Sequence, residues 1–128
     1  MAIDLKKFIG RFVEEAREHI RQIHEGLARL DSGDPGVLHG VFRSAHTIKG
    51  SSRMLKLTPI TEIAHRIEDV MAALREGSAR MSPEMGEGIR RGVDAVSVLV
   101  DALAEVPDGD RLPQADPALL TELSGLIA

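Results

Sequence analysis

The sequence predicts an all-α protein, an antiparallel up-down four-helix bundle with an additional C-terminal helix. Three observations predict this fold. Apolar residues recur at steps of three and four along four long segments, which places each set on one stripe of a helix. An N-cap-type residue followed by proline occurs four times at helix-length spacing, as Asp34-Pro35, Thr58-Pro59, Ser82-Pro83 and Asp116-Pro117. The connections between the four long segments are short, which favours antiparallel neighbours burying their stripes together. No strand alternation, internal repeat or low-complexity tract competes with this pattern.

The first helix is expected over Leu5 to Leu30, with its stripe at Ile9, Phe12, Val13, Ala16, Ile20, Ile23, Leu27 and Leu30, and with Asp31-Ser32-Gly33 as its stop. The second starts at Asp34-Pro35. A cap side chain accepts a bond from a free backbone N–H of the first turn, and proline suits the first position because its missing N–H would go unpaired there. Its stripe is Leu38, Val41, Phe42, Ala45, Ile48 and Ser52. The third carries Ile60, Ile63, Ala64, Ile67, Val70, Met71 and Leu74 and is ended by Gly77. The fourth carries Met85, Ile89, Val93, Val96, Leu99, Val100 and Leu103. The bundle is thus assigned to residues 1–105 and a polar linker to 106–116. Residues 117–128, with Leu119, Leu120, Leu123, Leu126 and Ile127, form a last helix, either docked on the bundle or leading to a further region.

Composition narrows the function. The 128 residues carry 16 Lys+Arg against 20 Asp+Glu, a net charge of −4, and the pI is about 5.7. That balance argues against a nucleic-acid partner, which needs a concentrated positive field. The absence of Cys excludes disulfides, thiolate nucleophiles and Cys-ligated zinc. With three Phe and no Tyr or Trp the core must be aliphatic. No apolar run approaches a membrane span, and the charged start, Met1 to Lys7, lacks the apolar stretch of a secretory signal. A soluble, cytoplasmic, monomeric domain without a membrane partner is the expectation.

A bundle without insertions leaves little room for a substrate pocket, so reactive side chains outside the stripes carry the argument. Neither common spacing of a nucleotide-binding glycine loop is present, nor a serine nucleophile elbow. Of five His, His46 is the informative one. It lies at the margin of the second stripe, partly exposed. Gly50 follows one turn later on the same face. A mid-helix Gly costs about 1 kcal/mol against Ala, a cost more readily accepted where the missing side chain leaves room for a partner; close helix packing is the alternative reading. Lys49 can set an ammonium beside the ring, suited to an incoming phosphate. His65 and Glu68 share a face of the third helix. If helices two and three meet at that height, Glu68 accepts from the proton-bearing nitrogen of His46, which leaves Nε2 free as a nucleophile.

The run His46-Thr47-Ile48-Lys49-Gly50-Ser51-Ser52, followed by Met54-Leu55, resembles the phosphorylation motif of histidine-containing phosphotransfer (HPt) domains. Glu62-Ile63-Ala64-His65-Arg66-Ile67-Glu68-Asp69 resembles the third helix of the N-terminal phosphotransfer domain of CheA-type chemotaxis histidine kinases. The resemblance runs from about Ile3 to Leu103 and implies a four-helix bundle with an extra C-terminal helix.

It also implies that His46 is the phosphoacceptor through Nε2, that Glu68 orients it, and that Lys49 and His65 neighbour the phosphate. Gly50, Ser51, Ser52 and Arg53 would form the approach for partners, Arg53 standing where many relatives have a small residue. The implied sequence has two steps. A separate ATP-binding kinase domain phosphorylates His46, and an Asp of a CheY-like or CheB-like response-regulator receiver domain then takes the group. ATP and Mg²⁺ come from those partners, and the domain itself holds no cofactor and no metal. It would be a carrier within a histidine protein kinase of two-component signalling, or a stand-alone phosphorelay protein. The rival readings are a non-catalytic helical adaptor and a metal-dependent bundle oxidase. The second rests on Glu62-x-x-His65, a single pair where that class needs two.

Overall fold

The computed structural model describes residues 4–30 and 34–128. Among the described residues five α-helices follow in order: α1 (Leu5–Leu27), α2 (Pro35–Met54), α3 (Thr58–Glu76), α4 (Pro83–Glu105) and α5 (Pro117–Gly125), with a 3₁₀ turn (Gly109–Arg111) between α4 and α5. Among the described residues there is no strand. α1 packs on α2 and α4, α3 packs on α2 and α4, and α5 lies against α3 and α4.

The stripes account for this packing. Every apolar position assigned to the third and fourth helices is buried, from Ile60 to Leu74 and from Met85 to Leu103. In α1 the stripe is buried except Leu27, which packs half-covered at the helix end. α1 stops at Leu27, three residues short of the expectation. There the N–H of Arg29 turns back to the carbonyl of Gly26 at 2.9 Å, and Leu30 reaches the core from this turn. The expected stop, Asp31-Ser32-Gly33, and the start of the chain at Met1–Ile3 lie outside the described residues. In α2, Val41, Ala45, Ile48 and Ser52 are buried, whereas Leu38 and Phe42 are only half-covered.

Three of the four expected caps form: Asp34 accepts from the N–H of Gly36 at 2.8 Å, Ser82 from Met85 at 3.1 Å and Asp116 from Ala118 at 2.9 Å. Thr58 does not cap. It is already the first residue of α3, and Leu57 holds the cap position without a side-chain bond. The α2–α3 turn is the reason. Leu57 is fully buried and its carbonyl accepts the first α3 bonds from Ile60 and Thr61, so the boundary falls one residue earlier. Asp4, which the proline pattern does not flag, caps α1 through the N–H of Lys7 at 3.2 Å. Gly77 ends α3 with φ +82, a left-handed conformation that costs glycine nothing.

The segment expected as a plain linker is laid onto the helical core. Ala115 is buried and Leu112 packs on the core, while a Cβ at Gly109 would stand 2.8 Å from Leu57 Cδ2. α5 is docked: Leu119 and Leu123 are buried, and Arg91 Nε donates to Glu122 Oε1 at 2.9 Å across α4 and α5. No helix among the described residues is long and apolar enough to cross a membrane.

Candidate functional site

α2 and α3 share a seam of cross-helix bonds. Ser52 Oγ and Thr61 Oγ1 lie 2.7 Å apart at one end, and Arg75 Nη1 stands 3.3 Å from His39 Nδ1 at the other. Between them His46 meets Glu68, so the two helices do face each other at the height the sequence required. The His46 side chain is 61% exposed, and that of Glu68 only 11%. The exposed imidazole is therefore held from beneath, by a carboxylate rooted in the core beside Ala64 and Ile67 on the inner face of α3.

The carboxylate has two partners. His46 Nδ1 bonds to Oε2, and Lys49 Nζ donates to Oε1 at 2.7 Å. Burial alone would push the Glu68 carboxyl up. The hydrogen bonds from Lys49 and His46, with their charges, outweigh that and hold it below the ordinary glutamate range. Glu68 is thus ionised at neutral pH and can only accept. The proton in the His46–Glu68 bond must then sit on Nδ1. In the neutral ring this leaves the lone pair on Nε2, on the side away from Glu68.

The approach to that nitrogen is open. A Cβ on Gly50 would meet nothing within 4 Å, which removes the close-packing reading of this glycine. Arg53 is exposed and Ser51 half-covered, the latter beside a shallow groove with Phe8, Phe12 and Met54. Ser52 is corrected: it is fully buried, bonded to Thr61 and to the carbonyl of Lys49, and so lies inside the seam rather than on a partner surface. Lys49 is largely covered, its side chain 14% exposed, with one ammonium proton committed to Glu68.

His65 shares the Glu68 face but is turned to Asp69, with Nε2 3.6 Å from Oδ1. His65, Glu68 and Asp69 bring ligand-type atoms within 4.8 Å of one another, yet both Glu68 oxygens are already taken, and Glu62 is not in the group. The Glu62-x-x-His65 spacing therefore gathers no two-metal carboxylate set among the described residues.

Three residues the sequence reading passed over also belong here. Phe42, assigned to the core, packs against it on one side only and lies half-exposed, with its ring stacked near-parallel to those of His39 and His46. Arg75 from α3 covers the Phe42 ring at 4.0 Å. The spacing His39, Phe42, His46 is the available signal, since steps of three and four align side chains along a helix.

The fold and this seam define a small helical domain that sets an exposed imidazole, His46, over a buried carboxylate. The family model for the Hpt domain matches residues 7–108, and the chain belongs to that family. Among curated relatives, it is 28% identical over 111 residues to the chemotaxis protein CheA of Bacillus subtilis, covering 85% of this chain and 16% of that protein. It is 34% identical over 99 residues to the sensor histidine kinase CheAY of Helicobacter pylori, covering 76% of this chain and 12% of that one. The chain thus spans roughly a sixth or less of these relatives' length.

Solved structures share the fold. The phosphorylated P1 domain of CheA3, in complex with CheY6 from R. sphaeroides, matches with TM-score 0.81 at 21% identity, over 95% of this chain and 96% of that one. The CheA phosphotransferase domain from Thermotoga maritima matches with TM-score 0.75 at 22% identity, over 80% and 99%. This chain is a histidine phosphotransfer domain homologous to those of CheA proteins.

Proposed function

We propose that His46 is the phosphoacceptor of a carrier domain working within a CheA-type histidine kinase of two-component chemotaxis signalling. The supporting observation is the exposed imidazole whose Nδ1 is tied to a buried, ionised Glu68. The Nε2 lone pair attacks the γ-phosphorus of ATP held by a separate kinase domain. The N–P bond forms as the bond to the β,γ-bridging oxygen breaks, and ADP leaves. No proton has to depart from Nε2, and the positive charge gained by the ring is met at Nδ1–H by the Glu68 carboxylate. In the second step an Asp of a CheY-like or CheB-like receiver attacks the phosphorus, and His46 returns to the neutral ring.

ATP and Mg²⁺ belong to those partners, so this domain needs no cofactor or metal of its own. Lys49 and His65 neighbour the transferred group, and Gly50, Ser51 and Arg53 border the approach. The domain acts as a monomer in the cytoplasm. The bundle is read as antiparallel and up-and-down over residues 1–105, with 106–116 as the strap to the C-terminal helix. Supporting that sense, His39 pairs with Arg75, His46 with Glu68 and Ser52 with Thr61 across α2 and α3, and across α1 and α4 Arg17 bonds Asp101 while His24 Nε2 stands 3.7 Å from Asp94 Oδ1. The relative whose P1 domain was captured with CheY6 supports the receiver as partner. Incubation with a CheA-type kinase core and ATP should give an acid-labile, alkali-stable label on this domain. No label, or an acid-stable one, would sink the reading.

A further inference from the structure

One hydrogen bond leaves an exposed ring underdetermined. The bond from Nδ1 to Glu68 fixes one atom of His46, but the imidazole can still swing about that contact, and with 61% of the side chain exposed little else on the core side restrains it. The Phe42 ring supplies the missing restraint. It lies one turn earlier on α2, its centroid 6.0 Å from that of His46 and its plane within 13°, inside the range of offset stacking. Phe42 is itself held from α3. The Arg75 guanidinium carbon sits 4.0 Å above its centroid, and Arg75 Nη1 reaches His39 Nδ1, whose ring extends the row at 6.4 Å and 18°. Cations over an aromatic face are attracted by its quadrupole, so a residue of one helix clamps the ring that aligns a residue of the other.

We propose that Phe42, clamped by Arg75, is a positioning residue that sets the plane of the His46 imidazole and so aims the Nε2 lone pair at the incoming phosphorus. This rests on His46 being the phosphoacceptor. Neither Phe42 nor Arg75 touches the transferred group. Their effect is on the fraction of time the ring spends in the reactive orientation, and transfer by an in-line displacement is sensitive to such aim.

The test uses Phe42→Leu, Phe42→Tyr and the surface change Arg75→Leu in the 128-residue chain, with two readouts. The first is NMR of the His46 ring, which needs no phosphodonor. Phe42→Leu should remove the ring-current shift on the His46 carbon-bound protons and show averaging between ring orientations, while Phe42→Tyr keeps both as in the unaltered chain. The second is phosphorylation by a CheA-type kinase core with ATP. Phe42→Leu should lower kcat about fivefold with KM unchanged, the factor one aromatic pair sustains, and Arg75→Leu about twofold. Phe42→Tyr should restore the rate.

A folded Phe42→Leu with an ordered ring and an unaltered kcat overturns the proposal. So does a Tyr variant as slow as the Leu variant. Should the leucine variant not fold, an Arg75→Leu protein with unchanged ring signals and rate overturns it equally. If the unaltered chain takes no label at His46, the carrier reading fails instead, and the ring-order measurement still decides whether Phe42 restrains the imidazole.

Discussion

The α1–α4 seam and the α2–α3 seam both carry charged groups across helices, and they differ in where the charge sits. At α1–α4, Arg17 donates to Asp101 at 3.0 Å with both side chains more than half exposed. Such pairs gain little, because water and salt screen them and ordering two long side chains costs entropy. At α2–α3 the carboxylate of Glu68 is 11% exposed and has been taken out of water to meet Lys49 and an exposed His46. A buried carboxylate is expensive unless its partners are well placed, and hydrophobic replacements are often as stable. A fold seeking only stability has no need of it. The contrast is what the proposed role of the second seam would require: a carboxylate kept out of water beneath an exposed imidazole.

The sharpest way to break this contrast is at the imidazole. His46→Gln should abolish labelling by a kinase core while leaving helicity and melting temperature as they were, since the side chain is mostly in water. Labelling that survives would move the site elsewhere. Glu68→Ala should slow labelling about ten- to hundredfold without abolishing it, as loss of an orienting partner does for imidazole ligands. It should also destabilise by about 1–3 kcal/mol, because Lys49 and His46 lose their acceptor. Arg17→Ala serves as its counterpart. Labelling should stay normal and the melting temperature within about a degree or two. Equal effects at the two seams would erase the distinction.

Gly50 sharpens the comparison from the partner's side. Gly50→Leu fills open space one turn above His46, so transfer should slow several-fold while stability rises by up to about 1 kcal/mol from helix propensity. A slower and less stable protein would mean the position is packed after all. The smallest effect is in acid. Glu68 is held below its unfolded value of about 4.3, so its stabilisation is complete above that pH and is lost as pH falls through the folded value. Glu68→Gln should therefore flatten the fall in melting temperature below about pH 4.3, and an unchanged acid limb would show that the carboxylate is not stabilised by its neighbours.

The helices were legible because burial follows periodicity: each apolar residue named in the α3 and α4 stripes is buried. Caps were legible where proline marks the first turn, and misread at Thr58, where a buried Leu57 carbonyl sets the boundary. The 106–116 segment looked polar yet lies on the core through Leu112 and Ala115, because packing of a non-periodic segment leaves no repeat to read. At the site, His46, Lys49 and Glu68 could be singled out by spacing. Their meeting depended on the height at which α2 and α3 cross, which spacing within one helix does not contain. Phe42 was hidden for the opposite reason. An aromatic on an apolar stripe reads as core, and its half-exposed place beneath Arg75 depends on a residue that another helix supplies.

The central claim is that Glu68 holds the proton on Nδ1 and leaves Nε2 of His46 to react. NMR of the ¹⁵N-labelled, kinase-phosphorylated domain reads this directly. The account predicts phosphorus bonded to Nε2 of His46, with Nδ1 protonated and hydrogen-bonded. Phosphorus on Nδ1, or on the ring of any other histidine, would contradict it.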